Sequence, residues 1–165
     1  MRTVSVQCGA SLVEMLVAMT VLSIGLLGIA SLFLRELADS RAALLRTQAI
    51  GLVGDMMDRI RANVAGGASY DLASYGGLPA LQGCEATDSS AGANCSSVQL
   101  AEDDLARWRS AVQGALPAAL VGISGANVEF LGGEPARYRI AVTWQEPGQP
   151  LPFSFSSELL AEATP

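Results

Sequence analysis

The first part of the chain is an apolar stretch that runs from Ala10 to Leu34 and contains one charged residue, Glu14. About 20 apolar residues are enough to span a bilayer as a helix, at ~1.5 Å per residue. The stretch therefore predicts a transmembrane helix over residues 10–34. A carboxylate in such a helix is costly and is expected to find a positively charged partner.

Residues 35–63 are amphipathic and predict a continuation of the same helix. Apolar residues recur at three- and four-residue spacing, which is typical of one buried helix face. They are Leu45, Ala49, Leu52, Val53, Met56 and Ile60, with Thr47, Gln48, Asp55 and Asp58 on the opposite side. Asp55 and Arg59 are spaced for an i,i+4 ion pair. Gly66 and Gly67 favour the end of this helix, so we predict one continuous helix of about 50 residues.

After residue 64 the pattern predicts one short helix. Leu105, Trp108, Val112 and Leu116 share a helix face that ends at Pro117. Asp103 or Asp104 is placed to cap its N-terminus, where an acidic residue is electrostatically favoured. A calcium site at these acids is the alternative, but the spacing of a calcium-binding loop is absent.

From Val128 onward the apolar period changes to two, which predicts strands. Val128 and Phe130 begin the pattern, and a second strand buries Tyr138, Ile140, Val142 and Trp144. Leu151, Phe153 and Phe155 alternate again, and turn residues separate the three segments at 132–135 and 146–148. The pattern predicts an antiparallel sheet packed on the long helix, an α+β fold.

Residues 1–9 form a short polar leader that ends at Gly9, directly before the apolar stretch. An ordinary secretory signal is instead cleaved after its apolar region. Cleavage after Gly9 would keep the helix on the mature chain and create a new α-amine at Ala10. That amine could meet Glu14 of the same chain or of a neighbouring one.

The segment GASLVEMLVAMTVLSIGLLGIASLFL resembles the class III signal and N-terminal helix of type IV pilins and their relatives in type II secretion. The resemblance implies that a prepilin peptidase cleaves after Gly9 and N-methylates Ala10, and that Glu14 guides subunits into a filament. It also implies a pilin-like fold. The family usually has Phe where this chain has Ala10. Many major pilins have a proline in the apolar segment, and its absence here favours a minor subunit.

The segment GDMMDRIRAN, followed by Tyr70 and Asp71, is similar to PilV-type minor pilins. This implies a role in pilus assembly or priming near the tip, and so in adhesion or twitching motility. The implied partners are other minor pilins, the major pilin, the prepilin peptidase and the inner-membrane assembly machinery. The chain would cross the inner membrane once, with residues 64–165 in the periplasm, before it enters the extracellular pilus.

Two alternatives to the minor-pilin role remain open. A type II secretion pseudopilin shares the N-terminal features. A membrane-anchored periplasmic enzyme or ligand-binding module is the third class, and its function would not depend on Glu14.

The positions of the cysteines fit a chain that is cleaved after Gly9 and exported to the periplasm. Cys8 lies in the leader, so the mature chain keeps Cys84 and Cys95. In an oxidising periplasm these two can form a disulfide, with two free thiols as the alternative. A metal site is disfavoured because the chain has no His.

Composition argues against catalysis and nucleic-acid binding. Without His, neither a Ser-His-Asp nor a Cys-His arrangement is possible, and no phosphate-binding loop motif occurs. Residues 64–165 contain eleven acidic residues and four arginines, which repels nucleic acid. We therefore expect a structural protein with no catalytic residues, no metal and no cofactor.

Overall fold

The computed structural model describes residues 11–77, 79–84, 95–117, 125–146 and 148–162. Helix α1 (Leu12–Ala62) is followed by two 3-10 helices (Val64–Tyr70 and Leu72–Tyr75) and by helix α2 (Ser97–Ala115). Strands β1 (Ala126–Gly132), β2 (Ala136–Trp144) and β3 (Phe153–Ala161) complete the fold. The chain divides into two compact units, Met1–Arg41 and Ala42–Pro165, and α1 runs through the boundary. The prediction of one helix of about 50 residues is confirmed, since α1 has 51.

In the first unit, α1 is apolar on all sides from Met15 to Leu34. Every residue from 11 to 41 is exposed, including the large apolar side chains between Leu12 and Leu34. By length and composition α1 contains a segment able to cross a membrane. A helix that is hydrophobic all round is stable only among apolar neighbours, which a bilayer provides.

In the second unit, the later part of α1, helix α2 and the sheet share one core. The helix face predicted from spacing is confirmed: Leu45, Ala49, Val53, Met56 and Ile60 are buried, and Leu52 packs beside them. From α2, Leu105, Trp108, Val112 and Leu116 enter the same core, as predicted. The Trp108 indole also donates a hydrogen bond to the Leu52 carbonyl of α1 (2.7 Å). This bond joins the two helices through a buried aromatic residue.

The three strands form an antiparallel meander in the order β1-β2-β3. Tyr138, Ile140, Val142 and Trp144 are buried on β2, as predicted, because alternate residues of a strand point to the same face. The prediction for the third strand is wrong at Leu151, which is exposed and precedes β3. The predicted α+β fold, a long helix packed on a small antiparallel sheet, is confirmed.

The predicted cap of α2 is wrong. Ser96 caps the helix: its hydroxyl accepts a hydrogen bond from the Gln99 N–H (3.3 Å), and the Gln99 side chain accepts one from the Ser96 N–H (2.9 Å). This reciprocal pair satisfies N–H groups that the first turn leaves free. Asp103 and Asp104 lie inside the helix and are buried.

Candidate functional site

Glu14 lies in the first turn of α1, within the apolar segment. Its carboxylate forms no hydrogen bond or ion pair with any residue that the structure describes. An acid without a partner among the described residues is available to a cation on another molecule. Gly9 and Ala10, the predicted cleavage and methylation positions, lie outside the described residues, so the roles of all three residues stay predictions.

The second unit contains a cluster of polar side chains where α1 ends, which we call the polar joint: Arg59, Asn63, Tyr70 and Asp104. Arg59 Nη1 donates to Asp104 Oδ1 (2.9 Å), and the Tyr70 hydroxyl donates to Asp104 Oδ2 (2.8 Å). Asn63 Nδ2 donates to the Tyr70 hydroxyl oxygen (3.2 Å) and to the Ser97 carbonyl (2.8 Å). The joint therefore ties the end of α1, the first 3-10 helix and α2 together.

The polar joint gives a physical role to residues at the end of α1 and just after it. Arg59 and Asn63 belong to GDMMDRIRAN, and Tyr70 follows it. Arg59 also donates to Asp55 of the same segment (3.0 Å), which confirms the predicted i,i+4 pair. Asp71 begins the second 3-10 helix, where its side chain accepts the Ala73 N–H (3.1 Å). These residues thus fix the conformation of the chain after α1.

Two members of the polar joint, Tyr70 and Arg59, have shifted pKa values. Burial and the hydrogen bond to Asp104 raise the pKa of the Tyr70 hydroxyl. Burial lowers the pKa of the Arg59 guanidinium, but its hydrogen bonds to Asp104 and Asp55 outweigh that effect, so the net shift is upward. Both shifts favour the protonated forms, in which the Tyr70 hydroxyl is a donor and Arg59 is cationic.

Asp104 is the joint residue whose role the sequence prediction missed. The sequence nevertheless indicates that Asp104 is buried. It precedes Trp108 by four residues and so lies on the same, buried face of α2. An acid on an apolar helix face requires a buried partner. Arg59 meets that requirement.

A disulfide joins Cys84 to Cys95 in the second unit. Asp103 secures the chain just before the first cysteine: its Oδ1 accepts the N–H groups of Gln82 (2.7 Å) and Gly83 (2.9 Å). Its Oδ2 accepts Arg107 Nε (2.7 Å). Burial raises the pKa of Asp103, but the bonds from Arg107 and the two N–H groups outweigh it, so the pKa is lowered.

A second buried carboxylate connects α1 to the segment between β2 and β3. Glu146 receives two hydrogen bonds from Arg46, at 3.0 Å and 3.1 Å, and one from the Trp144 indole at 3.3 Å. The Arg46 guanidinium carbon also lies 4.9 Å from the centre of the Phe153 ring, within cation–π range. The sequence predicted a turn here, but the ion pair to α1 was not predicted.

The described residues contain no group of three acidic, Cys or His side chains that could hold a metal. The buried acids are instead saturated by arginine, tyrosine and backbone donors. Arrangements of this kind stabilise a fold, because buried polar groups need hydrogen-bond partners.

Comparison with known families adds two matches. Residues 31–106 match the family described as Type IV pilin Tt1218, and residues 5–30 match the prokaryotic N-terminal methylation motif. The whole polar joint lies within the first match. No curated protein and no solved structure matches the chain. The two matches support a type IV pilin-like protein with a pilin or pseudopilin role. The methylation motif and the apolar part of α1 fit a membrane-anchored pilin.

Proposed function

We propose that the protein is a minor pilin of PilV type, which enters a type IV pilus near the tip and contributes to priming its assembly. The polar joint carries this proposal. The residues that resemble PilV-type proteins form one connected cluster, Arg59, Asn63 and Tyr70 with Asp104, within the region that matches a type IV pilin family.

The N-terminal part of the proposal concerns processing and insertion. Residues 10–34 cross the inner membrane once, with residues 64–165 in the periplasm. Prepilin peptidase cleaves after Gly9 and methylates Ala10. The Glu14 carboxylate then attracts the cationic amine of an adjacent mature subunit, and the low dielectric of the bilayer strengthens this attraction relative to an exposed pair.

The test is incorporation into filaments. Glu14→Ala should leave membrane insertion and the second unit unchanged but lower the ratio of filament-bound to membrane-bound protein several-fold. Glu36→Ala is the matched control, because Glu36 is an exposed acid on α1 beyond the apolar segment. It should retain the wild-type ratio. An unchanged ratio in Glu14→Ala would instead support a membrane-anchored ligand-binding module.

Mass spectrometry of the mature N-terminus tests processing directly. The expected product begins at a methylated Ala10. Protein that still begins at Met1 in cells with active prepilin peptidase would contradict the pilin function.

A type II secretion pseudopilin is the second candidate, because the N-terminal methylation motif suits either system. Deletion of the gene separates them. Loss of twitching motility with normal exoprotein secretion supports the pilus, and the reverse result supports the pseudopilin.

A further inference from the structure

Strand β3 is an open edge of the sheet. Within the described residues its far side has no strand partner, and its main neighbour is β2. The other outer strand, β1, lies against the two 3-10 helices, and its pairing with β2 is irregular between Phe130 and Gly132. By contrast, β3 pairs with β2 in unbroken register along its nine residues.

The β3 edge lacks the features that usually prevent a sheet from adding a strand. Such features include short length, bulges, proline and lysine. None of them occurs in β3, and its one charged residue, Glu158, is held by Arg139 at 2.9 Å. Nothing in the sequence of this strand repels an added one.

The core is also incompletely covered at this edge. Phe153 and Phe155 of β3 are half-buried, whereas their partners on β2, Trp144 and Val142, are buried. On the opposite face of the strand, Leu160 is exposed to solvent. An added strand would cover apolar surface as well as pair with free backbone groups.

A groove of about 510 Å³ lies at the C-terminal end of β3. Its lining includes Glu134 and Glu162 together with apolar Val64, Pro135 and Ala161. Neither carboxylate forms a hydrogen bond or ion pair with a described residue. Two carboxylates beside an apolar surface suit the stem and charge of a Lys or Arg side chain.

We propose that β3 pairs with an extended strand of a different exported subunit, which places a basic side chain in the groove between Glu134 and Glu162. This inference rests on the pilin function proposed above and names the surface through which the subunit contacts its neighbour. A second copy of the chain is disfavoured by charge, because residues 64–165 contain eleven acids and four arginines. It would bring a like-charged surface to the edge.

Photo-crosslinking of the full chain in cells tests the inference. A benzophenone amino acid replaces Ser156, exposed on β3, or Asn127, exposed on β1, as the matched control. We expect position 156 to give at least ten-fold more product, joined to a different pilin-like subunit through a peptide that contains Lys or Arg. Combining Glu134→Gln with Glu162→Gln should lower that yield several-fold while the disulfide and protease resistance remain.

The remaining outcomes separate this inference from the proposed function. A product with a second copy, equal yields at both positions, or an unchanged yield in the double variant overturns the inference. If wild-type protein enters sheared pili but position 156 gives no product, the inference fails and the proposed function stands. If position 156 captures an exported subunit but the protein never enters pili, the proposed function fails and the edge contact stands.

Discussion

Arg59 and Asp104 are 2.9 Å apart across the interface between α1 and α2, although 45 residues separate them in the chain. The Asp104 side chain is about one-tenth exposed, so its charge has lost most of its hydration. Removing Asp104 would take a buried acceptor from both the Arg59 guanidinium and the Tyr70 hydroxyl, and a lost buried acceptor costs more than an exposed pair contributes.

Asp104→Ala should therefore lower the free energy of unfolding by about 1–3 kcal/mol, since Arg59 and Tyr70 each lose one acceptor while Arg59 keeps its bond to Asp55. Urea unfolding of the full chain in non-ionic detergent measures it. The fluorescence of Trp108 and Trp144 is the readout, because these are the chain's two tryptophans and both are buried in the second unit.

The control is Asp58→Ala, which breaks an exposed ion pair with Arg61 at 2.8 Å. An exposed pair of this kind contributes about 0–1 kcal/mol. Similar losses in the two variants would show that the polar joint is no more important than an ordinary surface pair.

Local patterns predicted the elements well and the contacts between them poorly. The alternation of Tyr138, Ile140 and Val142 was sufficient to predict β2, because strand burial follows a period of two. Asp104 was assigned to a cap because acids favour helix N-termini, but its partners are distant in sequence. Ser96 was a missed local signal, since Ser followed three residues later by Gln is a capping box.

The contact made by Glu146 could not be predicted either, because the local sequence indicates only a turn there. Its partner Arg46 lies 100 residues earlier, so no local pattern connects them. The polar and Gly-Pro context of Glu146 fits a turn, and only the folded chain shows that its carboxylate is buried.

Arg46→Met should lower the free energy of unfolding by about 3 kcal/mol, because it keeps an apolar stem near Phe153 but removes the charge that compensates Glu146. Arg139→Met is the matched control, since Arg139 bridges two exposed acids, Glu129 and Glu158. That change should cost much less, because pairs between exposed side chains contribute little to stability. The same fluorescence-detected unfolding measures both, and equal losses would contradict the role of burial.

The titration of Asp103 should make the free energy of unfolding depend on pH in the acid range. Its pKa is lowered in the folded chain, so its stabilisation is complete above the unfolded carboxyl value of about 3.9 and is lost as pH falls through the folded value. Asp103→Asn removes this titration. The stability difference between wild type and variant should be constant from ~pH 7 to ~pH 5 and shrink below ~pH 4. A difference that grows on acidification would reverse the assigned direction of the shift.

The disulfide between Cys84 and Cys95 should persist in exported protein and contribute to stability. Closing a loop of about this length is worth ~3 kcal/mol in the chain-entropy model. Thiol labelling of denatured, unreduced protein should detect no free cysteine in the mature chain. Replacing both cysteines with Ser should lower the free energy of unfolding by a similar amount, and two freely labelled thiols would refute the prediction.

Two glycines should respond in opposite directions to the same substitution. Gly125 precedes β1, and its carbonyl accepts the Thr143 N–H of β2 (2.8 Å). A Cβ there would collide with the Thr143 carbonyl oxygen, which is backbone and cannot move without disturbing the strand pair. Gly125→Ala should therefore lower the free energy of unfolding by about 1–3 kcal/mol.

Gly54 provides the contrasting substitution because it lies inside α1 with no atom near the position of an added Cβ. Alanine is favoured over glycine in a helix interior by about 1 kcal/mol. Gly54→Ala should therefore raise the free energy of unfolding while Gly125→Ala lowers it, in the same detergent and with the same tryptophan readout. A loss of stability in both variants would mean that Gly54 also faces a close neighbour, and a gain in both would mean that β1 accommodates a side chain at its start.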